Sequence, residues 1–197
     1  MIRAVIEDRL EEFKKIRQKG EGAVFEELIF SILAAGTSAL MAQKALERVR
    51  PLLNDGSAKR LTRALRSYRF PKQRALCIVS ARKAVKDLGM DLTQWLAQFE
   101  NLFEMREACI RTFRGLGYKT ASHFLRNIGY FGLAILDIHV VRTLFALGVL
   151  PSDRPPSSRK RYLEAEEQFL IFADKIGVRP EALDLVLWAS RTGYVFK

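Results

Sequence analysis

Apolar residues recur at helical spacing along almost the whole chain. Positions i, i+3, i+4 and i+7 share one face of a helix, and this spacing predicts an amphipathic helix over residues 1–19, from Ile2 to Ile16. A more apolar helix follows between Phe25 and Leu33. No segment alternates apolar and polar residues as a half-buried strand would. The pattern therefore predicts an all-α protein.

Glycine, proline and capping residues divide this pattern into separate helices. The sequence Gly36-Thr37-Ser38 interrupts it, and Ser38 is expected to cap a third helix that ends at Val49. Pro71 divides the basic segment 57–88 into two helices, and Asp91 is a suitable cap for a short helix after it. Further helices are expected over residues 102–113, from 118, from 138, over 163–176 and from 180.

A glycine turn at residues 115–117 separates two of these predicted helices. Gly115 and Gly117 both permit a positive φ and leave backbone N–H groups exposed. The N-terminus of the next helix adds a partial positive charge. We therefore predict that the backbone at Gly115, Gly117 and Tyr118 binds a phosphate, a contact that carries no base-sequence information.

The helix after the turn has two distinct sets of residues. Its apolar stripe consists of Ala121, Phe124, Leu125 and Ile128. Lys119, His123 and Arg126 are spaced i, i+4 and i+7 on another face. The pattern therefore predicts that Lys119 points away from the core at the mouth of the hairpin.

Asp137 follows 18 residues after Lys119 and precedes another helical pattern. Aspartate in this position is a good N-cap, and its carboxylate and the lysine could converge on whatever the hairpin holds. Spacing alone leaves two interpretations open for these residues. One is a catalytic pair, and the other is a solvated charge beside an ordinary helix cap.

The composition favours a polyanionic partner. The chain has 33 lysines and arginines against 22 acidic residues, a net charge of +11, although a basic protein with no such partner remains an alternative. The cationic segment 57–88 is either a phosphate-facing surface or a solvated face. Cys77 and Cys109 are too few and too far apart for a disulfide framework or a zinc knuckle. No membrane-length apolar run is present, so a location inside the cell is expected.

Several motifs together carry a family resemblance. The segment 113–121, FRGLGYKTA, resembles the LPGxGxKTA hairpin of the helix-hairpin-helix DNA glycosylases, with Phe113 for the leucine and Arg114 for the usual proline. More narrowly, KTASHFLRNIG, LDIHV and the terminal WASRTGYVFK are similar to the second family of 8-oxoguanine DNA glycosylase/AP lyases of archaea and some bacteria. The resemblance extends upstream to Phe25 and covers most of the chain.

This resemblance implies a fold and a reaction. The fold would be one helix-hairpin-helix unit with two helical lobes and a cleft between them. Residues 21–134 would form the central lobe, with the hairpin at about 109–128, and residues 1–20 plus 135–197 the second. The enzyme would excise 8-oxoguanine through a Schiff base on Lys119 and then nick the strand by β-elimination. Asp137 would stabilise the cationic sugar.

The resemblance also implies partners and further site residues. The expected partner is double-stranded DNA that contains oxidised guanine, bound by a monomer with no membrane, no metal and no cofactor, in the cytoplasm of a prokaryote near its nucleoid. The iron–sulfur loop of endonuclease III-like relatives is absent. The predicted base pocket comprises Gly36, Phe196 and Lys197. The alternatives are a tight helix junction at residues 34–36 and a frayed tail at the terminal lysine.

Two histidines near the predicted site have open roles, and two other functions remain as alternatives. His123 is either a phosphate or amine contact or merely a surface residue, and His139 is a candidate brace for the Asp137 loop. One alternative is a glycosylase for oxidised pyrimidines or another purine. The other is a non-catalytic DNA-binding hairpin, in which Lys119 would only contact phosphate.

Overall fold

The computed structural model describes residues 2–195, and this part of the chain is built from helices. No strand occurs among these residues, which confirms the predicted all-α class. No helix between Ile2 and Val195 has the length and apolarity needed to cross a membrane. The helices are α1 (Ile2–Gln18), α2 (Glu21–Ala34), α3 (Ala39–Val49), a 3-10 turn (Arg50–Leu52), α4 (Ala58–Ala64), α5 (Pro71–Asp87), α6 (Leu92–Ala97), α7 (Leu102–Thr112), α8 (Tyr118–Asn127), α9 (Ile138–Ala146), α10 (Arg159–Lys175) and α11 (Pro180–Thr192).

The predicted helix boundaries follow from local capping chemistry. The Ser38 hydroxyl accepts a hydrogen bond from the Met41 N–H (3.3 Å) at the start of α3. Pro71 occupies the first turn of α5, where a missing N–H costs nothing. Asp91 caps α6 by accepting from the Thr93 N–H (2.7 Å). The sequence thus predicted these starts correctly, because each cap involves residues two or three positions apart.

The chain divides into two compact units. The internal unit is Ile16–Phe124, and the terminal unit combines the residues up to Lys15 with those from Leu125 onward. The boundary between them falls inside α1 and again inside α8.

Helix α2 lies in the core of the internal unit. It packs against α3, α5 and α6, while α4 packs against α5. From Glu27 to Ala34 its side chains are buried on every face because neighbours surround this part of the helix. Each fully buried aliphatic or aromatic side chain contributes about 1.5–3 kcal/mol. The fully buried apolar residues of α2 are Val24, Leu28, Ile29, Phe30, Ile32 and Leu33.

The C-terminal end of α2 is capped by side chains from the segment around Pro71. Arg74 Nη1 donates to the Ile32 carbonyl (2.7 Å), and Arg69 Nη1 donates to the Gly36 carbonyl (2.9 Å). The Tyr68 hydroxyl donates to a third carbonyl at the same helix end (2.7 Å). These bonds satisfy carbonyls that have no partner within the helix. Arg69 remains exposed to solvent while it makes this bond, whereas Arg74 is only partly exposed.

The terminal unit is organised around α11, which packs against α9 and α10. Helix α1 contributes an apolar cluster to the same unit, and Val195 packs against that cluster although it is only partly buried. The chain thus remains packed up to the last residue that the structure describes. The buried members of the cluster are Ile6, Leu10, Phe13, Ala182 and Leu185.

Candidate active site

The hairpin turn requires glycine at one position. Gly115 has φ +97°, and a Cβ atom added there would lie 2.9 Å from the Cys77 Sγ of α5. Burial raises the pKa of the Cys77 thiol above its ordinary value, so the group that packs behind the turn is uncharged. Gly117 does not have a positive φ, so the turn uses the positive φ that glycine permits only at Gly115.

Thr120 closes the turn from inside α8. The Gly117 N–H donates to Thr120 Oγ1 (2.8 Å), and the same hydroxyl donates to the Gly117 carbonyl (3.1 Å). Thr120 thus satisfies the Gly117 N–H at the N-terminus of α8, which is the role that the third-position Glu or Gln side chain has in a capping box. A phosphate that binds the Gly117 N–H must therefore displace Thr120, whereas the phosphate contacts at Gly115 and Tyr118 stay predictions.

Helix α8 is buried on nearly all of its surface. Its predicted apolar stripe is confirmed, since Ala121, Phe124 and Leu125 are fully buried together with the residue that follows the helix, Ile128. The expected polar face is wrong, because His123 is only 4% exposed and Arg126 only 3%. His123 therefore is not a surface residue, and its ring packs edge-on against Phe30 of α2 (5.7 Å between centroids). Lys119, in the first turn of the helix, is partly exposed.

A buried arginine of α7 supports the start of α8. Arg106 is fully buried, its Nη1 donates to Ser122 Oγ (3.0 Å), and its guanidinium lies over the Tyr118 ring (5.0 Å). The Tyr118 hydroxyl in turn donates to the Glu107 carboxylate. These contacts hold Tyr118, the residue before Lys119, in place. Arg106 was not predicted as a site residue, since its only signal in the sequence is a charge within the apolar pattern of α7.

A second buried arginine lies in the terminal unit. Arg126 Nη1 is 3.6 Å from Asp184 Oδ2, and both side chains are almost completely buried. The Arg126 guanidinium also lies over the Phe13 ring (4.7 Å). This pair holds the end of α8 to α11 and was also missed, because its members are far apart in the sequence.

Asp137 is the N-cap of α9, as predicted. Its Oδ1 accepts from the His139 N–H (2.8 Å) and from the Val140 N–H (2.8 Å). Both cap bonds use one carboxylate oxygen, so Oδ2 lies outside the cap. The backbone of His139 takes part in this cap, and a bracing role for its imidazole stays a prediction.

Helix α10 braces the loop that leads to Asp137. The Tyr162 hydroxyl donates to the Ala134 carbonyl (2.8 Å) and accepts from the Leu136 N–H (3.4 Å). Glu166 Oε1 accepts from the Ala134 N–H (3.0 Å). Both side chains are buried. They hold the backbone before Asp137. Neither was predicted from the sequence, because both lie on a helix far along the chain from the loop that they contact.

The predicted catalytic pair and the predicted base pocket each involve residues from separate parts of the chain. Lys119 belongs to the internal unit and Asp137 to the terminal unit, and their convergence on one nucleotide stays a prediction. Gly36 is exposed with φ +72°, and its role in a base pocket also stays a prediction. Phe196 and Lys197, the other two predicted pocket residues, lie outside the described residues.

Comparison with known proteins gives a consistent result. Residues 6–178 match the sequence model of a family described as 8-oxoguanine DNA glycosylase. The chain is 36% identical to an 8-oxoguanine DNA glycosylase/AP lyase of Picrophilus torridus, over 98% of this chain and 90% of the relative. It superimposes with a TM-score of 0.91, at 32% identity, on a crystal structure of Methanocaldococcus jannaschii 8-oxoguanine glycosylase/lyase in complex with 15mer DNA containing 8-oxoguanine, covering 100% of this chain and 93% of the other. The 8-oxoguanine DNA glycosylase of Thermotoga maritima gives a TM-score of 0.89 at 35% identity, covering 99% and 92%.

Proposed function

Since this chain belongs to the 8-oxoguanine DNA glycosylase family, we propose that it repairs oxidised DNA by releasing 8-oxoguanine and then nicking the strand at the resulting abasic site. The observation that carries this proposal is the family match over residues 6–178, which includes the hairpin with Lys119 and the Asp137 cap. Such an enzyme acts on chromosomal DNA in the cytoplasm of a prokaryote.

The first requirement of this reaction is access to the sugar. The glycosidic bond is buried in a duplex, so the nucleotide must be rotated out of the base stack, at a cost of a few kcal/mol. Phosphate contacts offset part of this cost. The hairpin turn at Gly115 and the positive end of α8 supply such a contact next to Lys119.

Lys119 is the proposed nucleophile. The neutral amine of Lys119 attacks C1′ of the deoxyribose, and the bond between C1′ and N9 breaks. The electron pair of that bond leaves with the base, which is then protonated. The attached nitrogen loses a proton, and opening of the sugar ring then gives a positively charged imine between C1′ and the Lys119 nitrogen. The C1′ to O4′ bond breaks in this step, and O4′ takes up a proton.

The imine then makes strand cleavage possible. It withdraws electrons from C2′, so a C2′ proton is lost to a base. The electron pair forms a C2′ to C3′ double bond, the bond between C3′ and O3′ breaks, and the 3′ phosphate departs. Hydrolysis of the imine returns Lys119 to its starting state.

Asp137 is proposed to stabilise the cationic sugar as the base departs. Its Oδ1 is occupied by the two cap bonds, and Oδ2 would face the developing positive charge. A fixed negative charge of this kind acts on the transition state without reorganisation.

Replacing Asp137 with Asn keeps its helix-capping role and removes its negative charge, so the two roles can be measured separately. Asn is as good an N-cap as Asp, so we expect a melting temperature close to that of the wild type. Excision of 8-oxoguanine should fall by about a hundredfold or more, the loss typical of one electrostatic group. Single-turnover excision and thermal melting followed by circular dichroism measure the two effects.

A matched control is Asp91→Asn, which removes the same charge from the same kind of cap on α6. It should leave excision unchanged. Wild-type excision by Asp137→Asn would mean that Asp137 is only a helix cap.

Borohydride trapping tests the proposed function as a whole. The wild-type protein is incubated with duplexes that contain 8-oxoguanine, an abasic site or undamaged guanine, and any imine is reduced to a stable amine. We expect covalent adducts on the first two duplexes and none on the third. Trapping on the abasic duplex alone would retain the lyase and point to another lesion, such as an oxidised pyrimidine. Binding without any adduct would favour the non-catalytic hairpin.

A further inference from the structure

The internal unit carries a cleft that the proposed chemistry does not use. It lies between α3 and α4 and has a volume of about 580 Å³. Four arginines line it: Arg48 of α3, Arg60 and Arg63 of α4, and Arg66 just after α4. The other lining residues are Leu52, Ala64 and Ser67.

The positive charge in this cleft is not neutralised by the protein. Within residues 2–195, none of the four guanidinium groups forms an ion pair with a carboxylate. Arg48 Nη1 donates instead to the neutral hydroxyl of Ser67 (3.2 Å). The neighbouring Arg50, outside the cleft, does have a carboxylate partner, Glu26 Oε1 at 3.1 Å. Like charges gathered in a cleft repel each other and attract anions.

The type and spacing of these side chains suit phosphate groups. The guanidinium group is planar and can donate two parallel hydrogen bonds to a phosphate. Arg60 and Arg63 are three residues apart, so they lie one above the other on α4, with Cβ atoms about 5–6 Å apart. Successive phosphates on one DNA strand are separated by about 3.4 Å along the helix axis, and long arginine side chains on one helix face can bracket them.

We infer that the cleft formed by Arg48, Arg60, Arg63 and Arg66 binds the sugar–phosphate backbone of duplex DNA as a second anchoring surface, separate from the hairpin turn. The inference takes from the proposed function only that the polyanion is duplex DNA. Phosphate contacts carry no base-sequence information, so this surface increases affinity for undamaged and damaged duplex equally. It serves the search for lesions and not the chemical steps.

The test is a variant in which all four arginines are replaced: Arg48→Gln, Arg60→Gln, Arg63→Gln and Arg66→Gln. Binding to a long undamaged duplex is measured between about 50 and 200 mM salt, where each phosphate contact contributes about 0.9 to the slope of log K against log salt. We expect the magnitude of this slope to fall by about 2 to 4, and affinity to fall by at least about tenfold.

Two control variants separate the cleft from total charge. The same four positions replaced by Lys keep the charge and should retain most of the slope. A second control removes four exposed charges of the terminal unit and should change the slope much less: Arg154→Gln, Lys160→Gln, Arg161→Gln and Lys175→Gln. An equal change of slope in this control and in the cleft variant would overturn the inference, as would no change in the cleft variant.

Trapping on a short abasic duplex at saturating enzyme distinguishes this inference from the proposed function. The cleft variant should trap as the wild type does, and loss of trapping by a folded variant would overturn the separation of the cleft from the reaction. If the wild type traps nothing, the proposed function fails while the salt slopes still decide the cleft. If the fourfold variant does not fold, Arg60→Gln combined with Arg63→Gln is scored in its place.

Discussion

Lys119→Gln is expected to form no borohydride-trapped adduct and to nick damaged DNA at least about a thousandfold more slowly than the wild type, a loss of about 4 kcal/mol of transition-state stabilisation. The amide nitrogen of Gln has no basic lone pair, so it cannot attack C1′ or form an imine. The substitution nearly preserves the length and polarity of a partly exposed side chain. Trapping and single-turnover nicking on an 8-oxoguanine duplex measure the effect.

Two measurements show whether this loss is chemical. Binding of Lys119→Gln to the 8-oxoguanine duplex should remain within a fewfold of wild-type affinity, because the hairpin turn and the four-arginine cleft are unchanged. Lys86→Gln, which removes an exposed lysine of α5, should trap and nick normally. Persistence of the adduct in Lys119→Gln would assign the nucleophile to another amine.

Asp184→Ala is expected to lower the free energy of unfolding by about 3–5 kcal/mol, because it removes a carboxylate that pairs with the buried Arg126 guanidinium. A protein of this size would lose on the order of 10 °C in melting temperature. The Phe13 ring over the guanidinium compensates only a small part of the lost charge interaction. Urea denaturation and thermal melting measure the change.

Two comparisons identify the buried charge as the cause. The double variant Arg126→Met with Asp184→Leu removes both charges and should be much closer to the wild type, since apolar residues often replace a buried ion pair at little cost. Asp87→Ala breaks the exposed pair with Lys83 and should change stability by less than about 1 kcal/mol. A similarly small effect for Asp184→Ala would show that the charge of Arg126 is compensated without Asp184.

The sequence was sufficient for features that depend on neighbouring residues. The helices follow from apolar spacing, and the caps at Ser38, Asp91 and Asp137 were predicted because the side chain and the N–H groups that it accepts from are two or three residues apart. The positive φ in the turn at Gly115 was predicted because glycine adopts this conformation without a steric penalty. The hairpin, the LDIHV segment and the C-terminal segment together also identified the family that the comparisons confirm.

The tertiary structure alone decided what covers each helix face and supports each candidate site residue. Spacing places His123 and Arg126 on a face apart from the apolar stripe, yet both are buried, because Phe30 and Asp184 come from elements distant in the sequence. The brace of Tyr162 on the loop before Asp137 likewise crosses many residues. By itself the sequence determined the helices, their caps and the family, because these depend on local backbone chemistry and on short motifs that are each contiguous in the sequence. The partners of the buried polar side chains depend on how distant helices pack, which periodicity along one helix does not encode.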